Sequence, residues 1–522
     1  MKLCLLDIAC RLRRRRRQPD WPRSGRHTPS RQTHPLTGPN NSTVSPPPTP
    51  VPAPTATKPP TASPAAAISS VASRRKPAFS FHLSPAHRYY ICFCVGHPLY
   101  DRLWLREIRD FTMRLQLILS ILAGLPLWAA SLKQTKPEDV GLSAERLGRI
   151  HETMQRHIDS HQIQGAVTLV LRNGRLAHLE AHGLMDSESN KPMAKDAIFR
   201  IFSMSKPVVG TAILMLMEEG KIRLNDPVSK FIPEFRGMKV AVAQESGAQA
   251  GPKQYYTVPS AREITIQDLL THVSGLGSGP ASAAEMPRIV RKPTDKLADY
   301  IPRLGTTPLD FQPGSRWTYS PGAGFDTLGR IVEIASGQPF DEFLKQRIFD
   351  PLGMKDAFFS PPENLWPLVP TTYHRNADSL KKTETQNFLV SKSYFSGAGG
   401  LMASAEEYAR FAEMLLEGGQ LNGKRLLSPK SVEMMRSVFV PDTLPGRAPG
   451  RGYGLSVQVV SDPISAGYRV SPGSYGWDGL YGTHFWIDPK EKIVGIMMIQ
   501  IDNPNRQLDR DFENAVMQAI VE

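Results

Sequence analysis

The sequence predicts an α+β protein: one antiparallel sheet assembled from strands near both ends of a folded region, flanked by helices, with a mainly helical lobe inserted between them. Two observations fix the ends of that plan. GAVTLVLRNGRLAHLEAHG (165–183) and THFWIDPKEKIVGIMMIQ (483–500) each read as two β-rich runs around a turn. A third fixes the middle: the text between them is mostly helical signals and long loops. No internal repeat interrupts this plan.

Taken in order, residues 140–158, VGLSAERLGRIHETMQRHI, carry the 3.6-residue apolar period of an amphipathic helix. The first hairpin turns at Asn173-Gly174, a dipeptide suited to two successive left-handed residues. Residues 202–221, FSMSKPVVGTAILMLMEEGK, read as a helix whose apolar body runs from Val208 to Met217 and whose end is marked by Gly220. The second hairpin is expected to turn at Asp488-Pro489, and a closing helix is expected over 507–521.

What precedes this region has a different chemistry. Residues 1–112 hold 18 Lys and Arg against 5 Asp and Glu, while residues 113–522 hold 45 against 44, so the net charge of +14 belongs almost wholly to the first part. The larger part is near neutral, which removes nucleic acid and a basic membrane face as partners implied by its charge. All four cysteines (Cys4, Cys10, Cys92, Cys94) also lie before residue 113, so the rest has no cysteine nucleophile, disulfide or zinc-thiolate site. Residues 11–76, rich in Arg and then in Pro, Ser, Thr and Ala, cannot bury enough apolar surface to offset chain entropy and read as a disordered, solvated arm.

At Met113 the pattern changes again. MRLQLILSILAGLPLWAAS (113–131) has the basic start, apolar run and small-residue end of a secretory leader, expected to be cleaved after Ala130 or Ser131. Its apolar run, Leu115–Trp128, is short for a membrane span, which needs about 20 residues. The expectation is that translation starts at Met113, that residues 1–112 are an over-extended reading, and that the product is exported, periplasmic or secreted. A tryptic peptide from residues 1–112 in native protein would overturn it.

Ser-x-x-Lys occurs three times, at Ser73/Lys76, Ser203/Lys206 and Ser379/Lys382. Only the second opens a helix, with Pro207 where proline is tolerated, so both side chains share a face near its first turn. A serine hydroxyl needs a base, and lysine serves once burial or a nearby cation lowers its pKa from about 10.4. Free N–H groups at the helix start suit a developing oxyanion. Ser203 as a plain helix cap is the bland alternative. Tyr319-Ser320-Pro321 precedes a second amphipathic helix, where a tyrosine beside an activated lysine can relay protons, or can simply pack. GSYGWDGLYGTHFWIDP (473–489) is a glycine-dense approach to a strand that lets backbone come close to a ligand, or an ordinary bulge.

Together SMSK, Tyr-Ser-Pro and Trp477-Asp478-Gly479 resemble the three active-site elements of the serine β-lactamase and penicillin-binding-protein superfamily, and most of all its class C branch with the family VIII carboxylesterases. ITIQDLLTHVSGL (264–276), IFDPLGM (348–354) and GAGGLMASAEEYARFAEMLLEGG (397–419) resemble landmarks of that branch, and the resemblance spans about residues 135–522. It implies a β-lactamase/transpeptidase-like fold with an α/β lobe at about 135–200 and 395–522 and a helical lobe at about 201–394. It further implies Ser203 as acylated nucleophile, Lys206 as general base, Tyr319 as proton relay, and the backbone N–H groups of Ser203 and Leu480 as oxyanion hole. No metal and no cofactor is implied.

Two departures bear on substrate. Pro321 stands where β-lactamases carry Asn, and Trp477 where they carry Lys, which removes an amide and a cation used on the substrate. With Asp478, of no evident role, and Gly479, these residues line the expected pocket, and Trp477 offers an apolar wall. The reading is a carboxylesterase on short or medium acyl esters or lactones, with acyl transfer to another acceptor also open. The alternatives are a β-lactamase or D-amino-acid peptidase, needing an Arg to bind carboxylate, and a catalytically silent cell-wall-binding relative. The expected partner is a small ester or amide. No nucleic acid is expected for the folded domain, and a membrane only through an uncleaved leader. Residues 237–300 are a candidate substrate entrance.

Overall fold

The computed structural model describes residues 132–244, 255–377, 379–383 and 393–522; the basic arm, the leader-like segment and Ser73/Lys76 lie outside the described residues. The helix expected over 140–158 is divided. A 3₁₀ turn at Pro137–Val140 ends where Gly141 adopts φ 70°, and Ser143 caps a new start whose short helix, Ala144–Leu147, leads into α1, Arg149–Asp159.

The first hairpin is β1, Gly165–Arg172, and β2, Arg175–Asp186, turning through Asn173 at φ 53° and Gly174 at φ 68°. A short β3, Lys191–Pro192, pairs with β2. Near the other end lie β4 (Arg451–Tyr453), β5 (Gln458–Val460), β6 (Tyr475–Asp478), β7 (His484–Asp488) and β8 (Ile493–Met498). The turn between β7 and β8 spans residues 489–492, centred two residues beyond the expected Asp488-Pro489. Asp488 ends β7, and its Oδ1 accepts the amides of Lys490 and Glu491, each at 3.1 Å. All eight strands form one antiparallel sheet in the order β4-β5-β6-β7-β8-β1-β2-β3, with β1 beside β8, so the two termini are joined at its centre.

That central position buries both faces of β1. Val167, Leu169 and Leu171 point into the larger core with Phe411 and Met414 of α4, Ala405–Leu416. Ala166 and Val170 point the other way, onto Ile150 and Met154 of α1 and Phe512 and Val516 of α5, Gln507–Met517. The closing helix stops at Met517 rather than 521 because Ile520 turns back to bridge Leu142.

Between the two sets of strands, α2, Ser205–Glu218, is apolar on every side and buried from Ser205 to Leu216. It packs against α3, Ala323–Ser336, so the starts of the two helices face each other. The lobe is not purely helical: Lys239–Ala243 pairs with Tyr255–Pro259 as a hairpin. Among the described residues no helix is long and apolar enough to cross a membrane.

Candidate active site

Ser203 lies in a single 3₁₀ turn, Phe202–Met204, immediately before α2. Phe202 holds φ 43°, a left-handed conformation that costs a bulky residue on the order of 1–3 kcal/mol. Surrounding contacts hold it there. The Phe202 ring meets Tyr481 edge-on at 4.4 Å, Tyr408 Oη donates to the Met204 carbonyl at 2.9 Å, and Ser205 Oγ accepts the Leu401 amide at 3.1 Å.

One helical turn on, Lys206 is completely buried, with Nζ 3.0 Å from Ser203 Oγ. Nζ also donates to the carbonyls of Pro321, 3.1 Å, and Ala398, 2.7 Å. Burial pushes the amine below the ordinary lysine range, against the opposing pull of Tyr319 and Asp326. A neutral amine has two N–H bonds and one lone pair. With two carbonyls taking the N–H bonds, the lone pair is directed at Ser203 Oγ. Tyr319 Oη approaches the same oxygen at 2.6 Å, so the hydroxyl is bracketed by a base and a second proton carrier.

The turn carrying Tyr319 is pinned by His272. His272 Nδ1 accepts the Ser320 amide at 3.1 Å, and its carbonyl accepts the Thr318 amide at 3.2 Å. Burial first, then the charges of Lys206 and Arg447, hold its pKa well below the usual value, so this imidazole is neutral and its Nδ1 is an acceptor. The carbonyl of Ala398 is fixed in turn by Asp326, which accepts from the Ala398 amide at 3.0 Å, Tyr394 Oη at 2.7 Å and Ser396 Oγ at 2.7 Å. Sequence reasoning did not single out His272 or Asp326. His272 lies in the stretch ITIQDLLTHVSGL and Asp326 in the helix after Tyr-Ser-Pro, but nothing in spacing alone marks them as supports.

Trp477 and Asp478 lie within β6 itself rather than in an approach to a strand. The Trp477 ring sits 5.5 Å from Tyr319 and 5.2 Å from Tyr453, so it forms an aromatic wall beside the nucleophile. Asp478 is drawn away from chemistry at Ser203: Oδ1 is 2.6 Å from His484 Nδ1, and His484 Nε2 is 3.1 Å from Glu513 Oε1. Burial opposes charge on His484, but these two carboxylates hold its pKa well above the usual value. Asp478, His484 and Asp509 place one possible ligand atom each within 4.8 Å, yet both ring nitrogens are already taken, which is the arrangement of an ion cluster. Gly479 is required by packing. A Cβ there would meet Thr483 Oγ1 at 2.0 Å and the Ile201 carbonyl at 2.6 Å, so the close approach is to the backbone two residues before Ser203. Arg506 donates to the Gly479 carbonyl at 2.7 Å, and Leu480 follows in an exposed turn.

Ser203, Tyr319, Pro321, Trp477, Asp478, Gly479 and Leu480 all border one cavity of about 580 Å³. Its lining includes no described residue of 237–300, and much of it comes from residues 451–513. The third Ser-x-x-Lys is also placed elsewhere, with Lys382 paired to Asp186 and Glu188.

A sheet closed by both termini, a helical insert and a buried lysine one turn after a serine define a serine hydrolase of the β-lactamase fold. The chain belongs to the beta-lactamase family, whose model matches residues 150–519. Protein Rv1367c of Mycobacterium tuberculosis is 36% identical over 360 residues, covering 66% of this chain and 87% of that protein. Esterase EstB of Burkholderia gladioli is 29% identical over 416 residues, 72% of this chain and 94% of its own. Among solved structures, EstCE1, described as a hydrolase with promiscuous acyltransferase activity, superposes with a TM-score of 0.61 at 25% identity over 72% of this chain and 99% of its own.

Proposed function

We propose that this hydrolase is a carboxylesterase acting on short or medium acyl esters or lactones through an acyl-enzyme on Ser203. The observation that carries it is the position of Ser203 Oγ within hydrogen-bond reach of both Lys206 Nζ and Tyr319 Oη. Lys206 takes the Ser203 proton as Oγ attacks the ester carbonyl. The N–H groups of Ser203 and Leu480 receive the oxyanion. Tyr319 passes a proton to the departing alkoxide, and a water deprotonated by the same pair then releases the acid.

The ester preference rests on what surrounds this pair. Pro321 contributes a carbonyl to Lys206 and no amide side chain, and Trp477 puts an apolar ring where a substrate-binding cation would stand. The likeness to Esterase EstB supports the same choice. A peptidase or β-lactamase reading has one observation in its favour, since the cation Arg451 borders the cavity.

The test is peptide-mapped mass spectrometry of the full chain, quenched early in reaction with p-nitrophenyl butyrate. A butyryl group on Ser203 that is absent in Lys206→Ala is expected. Labelling of Ser203 only by a β-lactam or D-peptide would replace the esterase reading, and labelling of another residue would remove Ser203.

A further inference from the structure

Outside the cavity, three metal-binding side chains converge on the face of β2 that α1 covers. Glu180 and His182 are two residues apart on one strand and therefore project to the same side, and His151 reaches them from the helix. Their potential ligand atoms all lie within 4.8 Å of one another. His151 Nδ1 is 2.7 Å from Glu180 Oε1, and His182 Nδ1 is 3.8 Å from the same oxygen. These separations bracket the edge of about 3.3 Å that a tetrahedral ion with bonds of about 2.0 Å requires.

The second observation is independent of that clustering. The His182 side chain is wholly buried, and its Nδ1 has no hydrogen-bond partner although it faces Glu180 and His151. A buried ring nitrogen without a partner is costly. Its other nitrogen is already committed: Nε2 is 2.9 Å from Thr168 Oγ1, which is 2.8 Å from His178 Nε2. A threonine hydroxyl has one proton, so it accepts from one imidazole and donates to the other. If His182 Nε2–H donates to Thr168 and Thr168 donates to His178, the His182 Nδ1 lone pair is fixed facing the cluster. A hydrogen-bonded second nitrogen of this kind orients a metal-bound histidine.

We propose that His151, Glu180 and His182 form a site for one divalent transition-metal ion, with Zn²⁺ as the favoured class, tying α1 to β2. Two imidazoles and one carboxylate suit Zn²⁺, and exposure of His151 leaves the fourth position open to water. No step at Ser203 uses this ion.

The experiment is titration of the chelator-stripped full chain with Zn²⁺ by calorimetry, and with Co²⁺ by visible absorption. One ion per chain is expected to be weakened at least about tenfold in His151→Gln and in Glu180→Gln, and about tenfold in Thr168→Val. The cysteines of residues 1–112 are common to all these chains, so the comparison isolates the cluster. His151 is exposed, so His151→Gln keeps the fold, and unchanged hydrolysis of p-nitrophenyl butyrate verifies it. A Zn²⁺ affinity in His151→Gln less than tenfold below the parent, or no Zn²⁺ binding by the parent, overturns the proposal and leaves the three residues as an ion pair and a packed imidazole.

Discussion

The carbonyl oxygen of Ala398 accepts a hydrogen bond from Lys206 Nζ at 2.7 Å. Because the amide of the same residue is held by Asp326, the orientation of the lysine depends on a carboxylate that does not touch the nucleophile. This arrangement, and the lowered lysine pKa that accompanies it, gives the first two predictions.

Lys206 must be neutral to take a proton. The rate on p-nitrophenyl butyrate is therefore expected to rise with pH through an apparent pKa below the ordinary lysine value of about 10.4. Lys206→Arg keeps the charge and cannot deprotonate, so activity should fall by about 10²–10⁴ and should not return at high pH. Recovery at high pH would exclude Lys206 as the base.

Asp326 raises the Lys206 pKa by its charge. Asp326→Asn should move the acid limb of the pH–rate profile to lower pH and reduce kcat while leaving KM little changed. An unmoved limb with an intact fold would show that Asp326 acts on packing alone.

Tyr319 is needed most where the leaving group is basic. Tyr319→Phe should lose about 10²-fold on a simple alkyl butyrate and markedly less on p-nitrophenyl butyrate, whose leaving group departs without a proton. Equal losses on the two esters would move Tyr319 from relay to positioning.

The His484 cluster should make stability depend on pH. A raised folded pKa contributes stability that is fully present below the unfolded value of about 6.5 and is lost as pH rises through the folded value. Asp509, pushed up to about 7 by burial and then by Asp478, works in the same direction, since its neutral form is favoured in the fold. The melting temperature should therefore fall as pH rises above about 6.5 through His484, with the loss of the Asp509 contribution already complete by about 7 and with Asp478, Glu513, Arg506 and Arg451 as the charged surroundings. His484→Gln should flatten that fall, as measured by calorimetry across the range.

Gly479→Ala should reduce both stability and kcat, because its Cβ would overlap the Ile201 carbonyl and displace the backbone leading to Ser203. Wild-type kcat in this variant would show that the turn can yield without moving the nucleophile.

Much of this molecule is written locally. The Asn173-Gly174 hairpin, the apolar body of α2, Pro207 in its first turn and the Ser-x-x-Lys spacing all express short-range preferences, so the sequence by itself determined the α+β plan, the strand pairs and the serine with its lysine on one helix face. Long-range approach decided the rest. Asp478 borders the cavity as its neighbours do, but pairing of β6 with β7 also sets it opposite His484, a partner that no local pattern announces. His272, Asp326 and the Ala398 carbonyl support the site from positions 66 to 192 residues away from Lys206, and no periodicity links them to it. The same holds for the proposed ion site: His178, Glu180 and His182 alternate visibly along a strand, but only packing of α1 on the sheet brings His151 to them. Local propensity acts over a few residues, whereas burial brings together groups distant in sequence, and it is burial that lowers the lysine pKa and fixes the acceptors around it.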